Sequence, residues 1–231
     1  VRPDRYRLVE NHSGACSKIA RGGGYSYAAA SFGAGSLMVD MTRFDRVLRF
    51  DPTERLIEVE AGITLGDLLK LTTPAGLWLP VQPGYPAITI GGCIAANVHG
   101  KNPAQSGTFR HSVVDITLFH PSHGTLRITK EREACVFDLT CGGYGLTGII
   151  LAATLRLAPL QSSRLSRVRI PLRDLKAGLD CVLATSADCA FTYTWQDASP
   201  SARPFGRGVA YQGTFVEEIP QTRDAESRYW V

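Results

Sequence analysis

The sequence predicts an α+β fold, and two features of the chain support that prediction. Short segments with strand-like or fully apolar character are separated by short helical segments. Three glycine clusters, at 22–24, 91–92 and 142–148, occur in the first 159 residues. No further glycine cluster follows Pro159 and the composition changes there, so we divide the chain into domains 1–159 and 160–231.

The composition is that of a globular protein. The chain has 231 residues, 44% of them apolar and 20% charged, which is enough to build a sizeable core. The net charge of +4 comes from arginines scattered along the chain, which argues against a nucleic-acid surface. No apolar stretch reaches the roughly 18 residues of a membrane span, so we expect no transmembrane segment.

The region before residue 82 predicts five strands and one helix. Strands 47–50 and 56–60 flank the turn sequence Asp51-Pro52-Thr53-Glu54 and should form a hairpin. Thr64 and Asp67 have the spacing of a capping box and open a helix, which Pro74 and Gly76 end. The other three strands are 17–21, 36–40 and 77–81.

The chain after residue 82 also predicts short helices and strands. A short alanine-rich helix leads from the Gly91-Gly92 turn to His99, and segment 133–139 predicts a helical turn. Strands 113–119 and 125–129 should form a second hairpin. The apolar segment 148–157 predicts a strand, with a helix as the open alternative. Beyond Pro159 we expect a strand at 165–170, a helix at 172–186, and strands near 191–195 and 208–215.

The glycine clusters indicate an anion-binding surface. Glycine lacks Cβ, so it accepts positive φ and lets a ligand approach the backbone. Successive N–H groups in such loops form a concavity that suits phosphate. One cluster, Gly143-x-Gly145-x-x-Gly148, also matches the Rossmann pattern of nicotinamide enzymes. That alternative ranks last, because the position for an acidic residue about 20 residues on holds Arg167, Val168 or Arg169.

Cysteine and histidine are the residue types that could support metal or redox chemistry. The six cysteines are Cys16, Cys93, Cys135, Cys141, Cys181 and Cys189; they form no C-x-x-C pair and should be free thiols. His120-x-x-His123 encloses Pro121 and Ser122, which predicts a hairpin turn. We therefore expect no metal site.

Taken together, the ordered motifs carry a family resemblance. The most specific are His99-Gly100-Lys101-Asn102 and Gly145-Leu146-Thr147-Gly148 followed by Ile149-Ile150. The full set lies at 21–27, 40–42, 76–81, 83–84, 89–95, 99–102 and 142–150. The chain resembles flavoproteins of the vanillyl-alcohol oxidase family, which share a two-part FAD-binding domain of the PCMH type, and within them the decaprenylphosphoryl-β-D-ribose oxidase branch. The likeness covers about residues 15–160 and fades beyond, although Trp195, Asp197 and Gly206-Arg207 still fit.

The resemblance implies subdomains of about 1–81 and 82–159, followed at 160–231 by the start of an α+β substrate or cap domain. It also implies an FAD site in which the first glycine loop wraps the pyrophosphate. The implied loop residues are Arg21, Gly22, Gly23, Gly24, Tyr25, Ser26, Tyr27, Ala28, Ala29 and Ala30. Further implied contacts are Gly84, Thr89, Ile90, Gly91, Gly92, Ala96, Asn97, Val98, His99, Gly145, Gly148 and Ile150.

The residue at the flavin attachment position predicts non-covalent FAD. Family members with covalent flavin place His after the glycine pair, whereas this chain has Tyr25 between Gly24 and Ser26. Tyrosine cannot form a histidyl link. Cys93 is not at the position of a cysteinyl link, and we expect it to be a small buried apolar residue.

His99, Lys101 and Tyr27 are the candidate catalytic residues. The imidazole of His99 can accept a proton from a substrate hydroxyl near neutral pH, or it can be a structural hydrogen-bonder. Lys101 can stabilise reduced flavin, hold a substrate phosphate, or be a solvated charge. Tyr27 either faces the substrate or packs under the flavin.

The resemblance implies an FAD-dependent oxidoreductase that takes hydride from a secondary alcohol of a sugar, with a lipid-linked phosphosugar as one candidate substrate. The alternatives are an oxygen-using sugar-alcohol or aldonolactone oxidase, and a flavin-binding module without activity of its own. A partner reductase is an open possibility in the first case. The expected location is cytoplasmic, with peripheral contact at the inner membrane as an alternative.

Overall fold

The computed structural model describes residues 1–10, 17–27, 30–162, 164–185 and 189–216. Within those ranges the helices are α1 (Tyr6–Glu10), α2 (Leu65–Thr72), α3 (Ile90–Ala95), α4 (Pro103–Ser106), α5 (Ala134–Thr140) and α6 (Leu175–Thr185). The strands are β1 (Lys18–Arg21), β2 (Leu37–Asp40), β3 (Val47–Asp51), β4 (Leu56–Glu60), β5 (Leu77–Trp78), β6 (Val113–His120), β7 (Gly124–Thr129), β8 (Ile149–Arg156), β9 (Ala158–Pro159), β10 (Leu165–Leu172), β11 (Phe191–Gln196) and β12 (Gly208–Phe215). This mixture of helices and strands confirms the α+β prediction.

A five-stranded antiparallel sheet with the order β3-β4-β8-β6-β7 forms the centre of the molecule. Its middle strand, β8, is buried on both faces except at Arg156. Ile150, Ala153 and Leu155 pack into the main apolar core, whereas Ile149 and Leu151 pack into a smaller cluster on the opposite face. Double-sided burial explains the continuous apolar run of this segment and confirms it as a strand.

The Rossmann alternative is wrong. The strand that follows Gly148 runs antiparallel to both of its neighbours. The nicotinamide fingerprint requires instead that the glycines open a helix between parallel strands.

A two-stranded parallel pair, β1–β2, lies against the smaller apolar cluster. Val39 and Met41 bury their side chains there beside Phe44 and Val9, the latter from α1. Met41 donates its backbone N–H to the Arg21 carbonyl at 2.8 Å, which extends the pairing beyond the strands. The ends of β1 and β2 therefore lie side by side, where the first glycine loop begins.

The predicted capping signals are present in the helices. Thr64 caps α2 by accepting from the Asp67 N–H, and Gly76 ends the following 3-10 turn with φ 70°. Thr89 caps α3 by accepting from the Gly92 N–H at 3.3 Å. These caps set where α2 and α3 begin and where the 3-10 turn ends.

The C-terminal part is a three-stranded antiparallel sheet with the order β10-β12-β11, covered on one face by α6. The predicted helix at 172–186 begins later than expected, because β10 continues to Leu172, which pairs with Gly208. Asp174 then accepts from the Ala177 N–H at 2.8 Å and opens the helix. The predicted strand 77–81 is likewise shorter, because β5 pairs only with Ala158 and Pro159.

Both sides of residue 81 contribute to the central sheet, β3 and β4 from before it and β6 to β8 from after it. The domain and subdomain limits at 81 and 159 stay predictions. No helix in the described ranges is long and apolar enough to cross a membrane.

Candidate active site

A cleft lies between the end of the parallel pair, the start of α3 and the start of β8. Eight of its twelve lining residues are glycine or alanine, so much of its wall is backbone. Among the residues that the structure describes, no charged side chain lines it. Its lining residues are Ala20, Gly22, Met41, Ala61, Thr89, Gly91, Gly92, Ala95, Tyr144, Gly145, Gly148 and Ile150.

Close backbone packing at Gly91 builds one wall of the cleft. Gly91 donates its N–H to the Ala61 carbonyl at 2.7 Å. A Cβ at Gly91 would lie 2.9 Å from the Ala61 Cβ, which is too close for an ordinary contact. Glycine is therefore required for α3 to begin against the end of β4.

The first glycine loop offers free backbone donors. Gly24 has φ 78°, a conformation that favours glycine. The N–H groups of Gly23, Gly24 and Tyr25 donate to no other residue in the described part of the chain. These groups are exposed beside the cleft and can satisfy an anion.

The loop 142–148 closes the opposite wall. Gly142 and Tyr144 donate their N–H groups to the carbonyls of Ile94 and Ala95, at 3.1 and 2.9 Å. Gly148 has φ 139°, and a Cβ there would collide with the Phe119 carbonyl oxygen. The loop is thus held against the C-terminal end of α3 by backbone hydrogen bonds and lies close to the backbone of β6 at Gly148.

His99 carries an exposed imidazole whose orientation is set by its own backbone. Its Nδ1 lies 2.9 Å from the Gly100 carbonyl oxygen. A carbonyl oxygen only accepts, so Nδ1 carries the proton and donates. Nε2 of the neutral ring then keeps a free lone pair, which can accept a proton from a hydroxyl.

Lys101 extends toward the C-terminal sheet. Its Nζ lies 4.4 Å from the ring centroid of Tyr193 on β11, a cation–π contact. Burial lowers the pKa of Lys101. No carboxylate in the described ranges pairs with it, so its charge is available to a ligand.

Comparison with known proteins identifies the family of this chain. A family model described as an FAD binding domain matches residues 12–130, about half of the chain. The chain belongs to the FAD binding domain family. Its cofactor is FAD, and its relatives are FAD-linked oxidoreductases.

Several curated relatives match over most of the chain. Decaprenylphosphoryl-beta-D-ribose oxidase of Mycolicibacterium smegmatis is 34% identical over 210 residues, which cover 87% of this chain and 45% of that protein. D-lactate dehydrogenase of Anaerostipes hadrus is 28% identical over 67% of this chain and 32% of its own length. L-gulonolactone oxidase of Mus musculus is 31% identical over 60% of this chain and 31% of its own length. The chain spans less than half the length of each of these relatives.

The fold also matches a solved structure of alkyldihydroxyacetonephosphate synthase, with a TM-score of 0.76 and 19% identity. The match covers 93% of this chain and 46% of that chain. This likeness concerns the fold.

The residues of the cleft fit FAD. The pyrophosphate of a dinucleotide needs close approach to the backbone and N–H donors. The glycine and alanine walls allow close approach, and the free N–H groups of Gly23 and Gly24 provide donors. At Gly92 a Cβ would meet only the Thr89 Oγ1, at 3.2 Å, so a larger side chain would project into the cleft.

The structure brings seven of the residues implied by the resemblance together in this cleft: Gly22, Thr89, Gly91, Gly92, Gly145, Gly148 and Ile150. The glycine loop residues Gly23, Gly24, Tyr25 and Ser26 lie exposed next to it. The remaining implied residues that the structure describes and that do not line the cleft are Arg21, Tyr27, Ala30, Gly84, Ile90, Ala96, Asn97, Val98 and His99. Ala28 and Ala29 lie outside the described residues.

Three of the residues outside the cleft lie against other parts of the chain or in solvent. Ile90 is fully buried in the main core, and its N–H donates to the Ile63 carbonyl. Tyr27 is fully exposed and does not line the cleft. Arg21 directs its guanidinium to Ser31 and over the ring of Phe32, at 5.2 Å.

Cys93 is buried, as expected. Its exposed fraction is 1%, and burial raises the pKa of its thiol to about 12. Such a thiol stays protonated and unreactive at neutral pH.

Sequence reasoning missed five cleft residues: Ala20, Met41, Ala61, Ala95 and Tyr144. Tyr144 lies within the third glycine cluster and has φ 50°, so that motif could have revealed it. Ala61 carries no sequence signal, because only the packing of α3 against β4 brings it to the cleft.

The His120-x-x-His123 segment forms the predicted hairpin turn between β6 and β7. The two rings lie 4.8 Å apart, and His120 Nδ1 accepts from the Ser122 N–H. Among the residues that the structure describes, no group of three His, Cys, Asp or Glu side chains could hold a metal.

Proposed function

We propose that this protein is an FAD-dependent oxidoreductase that oxidises a secondary alcohol of a sugar, with a lipid-linked phosphosugar as the favoured substrate class. The observation that carries the proposal is the position of Lys101. Its ammonium group lies over the Tyr193 ring, outside the cofactor cleft and without a carboxylate partner in the described chain. A cation in that place suits an anionic group on a substrate better than it suits the cofactor.

The similarity to decaprenylphosphoryl-beta-D-ribose oxidase supports the same substrate class. That relative matches across 87% of this chain, including the segment with Lys101 and strand β11. The lactate dehydrogenase and gulonolactone oxidase relatives match over smaller shares, 67% and 60%. All three names describe oxidation, which is the chemistry that the proposal assigns.

In the proposed reaction FAD, when bound, supplies the hydride acceptor. His99 accepts the hydroxyl proton at Nε2, since its Nδ1–H is already donated to the Gly100 carbonyl. Lys101 holds the anionic group of the substrate near β11. The backbone of 99–102 thereby sets the distance between the proton acceptor and the anion site.

The test is reduction of the FAD-loaded protein without oxygen by a panel of candidate substrates. We expect phosphoribosyl sugars, with or without a prenyl group, to bleach the visible flavin absorbance faster than lactate or gulonolactone. Equal or faster bleaching by lactate or gulonolactone would contradict the substrate class. Absence of bleaching by every member of the panel would support a flavin-binding module without activity of its own.

An oxygen-using oxidase is the second candidate, supported by the match to L-gulonolactone oxidase. Mixing the reduced protein with oxygen separates the two. Slow reoxidation supports transfer of electrons to a partner reductase or other acceptor, and fast reoxidation with release of peroxide supports the oxidase. We propose a cytoplasmic location for the protein. If the substrate is lipid-linked, as in the first proposal, the protein also makes peripheral contact with the inner membrane.

A further inference from the structure

Asn102 connects the segment after His99 to the C-terminal sheet. Its side chain is 4% exposed, and its Nδ2 donates to the Cys189 carbonyl oxygen at 2.6 Å. Its Oδ1 is buried and has no partner in the described structure. In the described structure, the Asn102 side chain therefore binds its surroundings through a single hydrogen bond, donated by Nδ2.

The neighbouring backbone makes a second connection. The Thr192 N–H donates to the Lys101 carbonyl oxygen at 3.0 Å. Thr192 lies on β11 and is itself buried. Two consecutive residues, Lys101 and Asn102, are thus hydrogen-bonded to the chain around the start of β11.

The side chain of Lys101 has no comparable restraint of its own. Its ammonium contacts the Tyr193 ring but no carboxylate in the described ranges. On its other side the stem passes Gly84, where a Cβ would lie 3.6 Å from the Lys101 Cε. The position of the ammonium consequently depends on how its backbone is held against β11.

We propose that Asn102 is a positioning residue, which holds Lys101 between the Gly84 loop and Tyr193. The proposal rests on the proposed function only for the role of Lys101 toward substrate. Loss of the Asn102 donor leaves a buried carbonyl unsatisfied, which costs free energy and loosens this contact. Water then reaches the ammonium group of Lys101.

The experiment follows the titration of individual lysines by NMR in the FAD-loaded protein, after dimethylation with a carbon-labelled reagent. The chain has five lysines, Lys18, Lys70, Lys101, Lys130 and Lys176, which single Lys→Arg variants assign. Burial lowers the pKa of Lys101 and also that of Lys18. Lys18 donates to the Val9 carbonyl and lies over the Phe119 ring, whereas Asn102 contacts Cys189, so Lys18 serves as the internal reference.

Asn102→Leu removes the donor with little change in volume, and Asn102→Ala is the second variant. In both we expect the pKa of Lys101 to rise toward its ordinary value while the pKa of Lys18 stays unchanged. Thr192→Val is the matched control, because its Oγ1 has no partner in the part of the chain that the structure describes and its N–H bond to Lys101 is retained. It should leave both lysines as in the wild type.

An unchanged Lys101 titration in a folded Asn102 variant would overturn the proposal. So would a joint shift of Lys101 and Lys18, which would indicate general loosening, or failure of both variants to fold. As a second readout, the substrate KM should rise about three- to tenfold, the usual weight of one hydrogen bond, with FAD content unchanged. If the titration shifts as expected but no sugar is oxidised, the positioning role stands and the proposed function fails.

Discussion

The ammonium nitrogen of Lys101 lies 4.4 Å from the ring centroid of Tyr193, so the segment after the second glycine cluster contacts the C-terminal sheet. This contact joins residues on the two sides of Pro159. The 99–102 segment follows α3, whose first residues line the cleft, and it is hydrogen-bonded to the chain around the start of β11. We infer that substrate binds between the cleft and this strand.

The first prediction concerns His99. His99→Ala should slow flavin reduction by substrate about 10²–10⁴-fold, because it removes the proton acceptor. FAD binding should be unchanged, since His99 does not line the cleft. The measurement is stopped-flow absorbance without oxygen, with His123→Ala, in the remote hairpin turn, as the control. A wild-type rate of flavin reduction in His99→Ala would show that His99 is not the proton acceptor and has a structural role.

The second prediction concerns the charge of Lys101. Lys101→Met keeps the stem and removes the ammonium, so it should raise KM for a phosphorylated sugar about tenfold or more. Substrates without an anionic group should show little change. Lys176→Met, which alters an exposed helical ion pair, is the matched control. A similar loss for charged and uncharged substrates would show that Lys101 does not bind the anionic group.

The third prediction tests the cofactor cleft at Gly92. Gly92→Asp should weaken FAD binding at least about tenfold, because a carboxylate at about 4 Å from a phosphate costs roughly 1–4 kcal/mol. The fold should survive, since an acidic residue in the first turn of α3 is favourable. Gly92→Asn is the neutral control and separates charge from volume. The measurement is the affinity for FAD by flavin fluorescence titration. Equal affinities of the two variants would show that the pyrophosphate does not lie beside Gly92.

The fourth prediction concerns the flavin linkage. The Tyr25 ring packs edge-on against Tyr85, with centroids 4.7 Å apart, and hydrogen bonding to Tyr85 raises the pKa of Tyr25. The residue at this place is a tyrosine, which cannot form a histidyl link to the flavin. Acid precipitation of the holoprotein should therefore leave all flavin in the supernatant, and Cys93→Ala should behave identically. Yellow colour in the washed pellet would contradict non-covalent binding.

The fifth prediction concerns acid stability at Glu60. The carboxylate is fully buried; burial alone would raise its pKa, but hydrogen bonds from Arg46 and Tyr6 outweigh this and lower it. A lowered folded pKa contributes stability that is complete above the unfolded value of 4.5 and is lost as pH falls through the folded value.

The measurement is the free energy of unfolding in urea between neutral pH and the acid limit. Glu60→Gln should be less stable at neutral pH and should lose less stability in acid than the wild type. Glu54→Gln, at an exposed turn, should follow the wild-type curve. Parallel curves for Glu60→Gln and the wild type would show that Glu60 is not the titrating group.

Local signals predicted much of this fold. The two hairpins agree with the sequence because strong turn sequences separate alternating strands. Strand β8 was identifiable from its apolar run ending before Pro159. The start of α6 was missed, because Leu172 is apolar in either state and only its pairing with Gly208 decides that it is a strand residue.

The candidate site was predictable to a similar extent. The glycines of the site were identifiable from the sequence, because their positions need positive φ or close packing, as at Gly148 and Gly91. Ala61 and Met41 gave no local signal, because contacts distant in sequence bring them to the cleft. The sequence also could not tell which way Tyr27 and Ile90 point, and the structure directs one to solvent and the other to the core.

The most direct test of the account is single-turnover reduction of the FAD-loaded wild-type protein by a phosphoribosyl sugar, in the absence of oxygen, beside the Lys101→Met and His99→Ala variants. We expect rapid bleaching of the flavin in the wild type, a weaker apparent substrate affinity in Lys101→Met and a slower limiting rate in His99→Ala. Flavin that stays oxidised in the wild type at saturating sugar, or bleaches equally in all three proteins, would contradict the account.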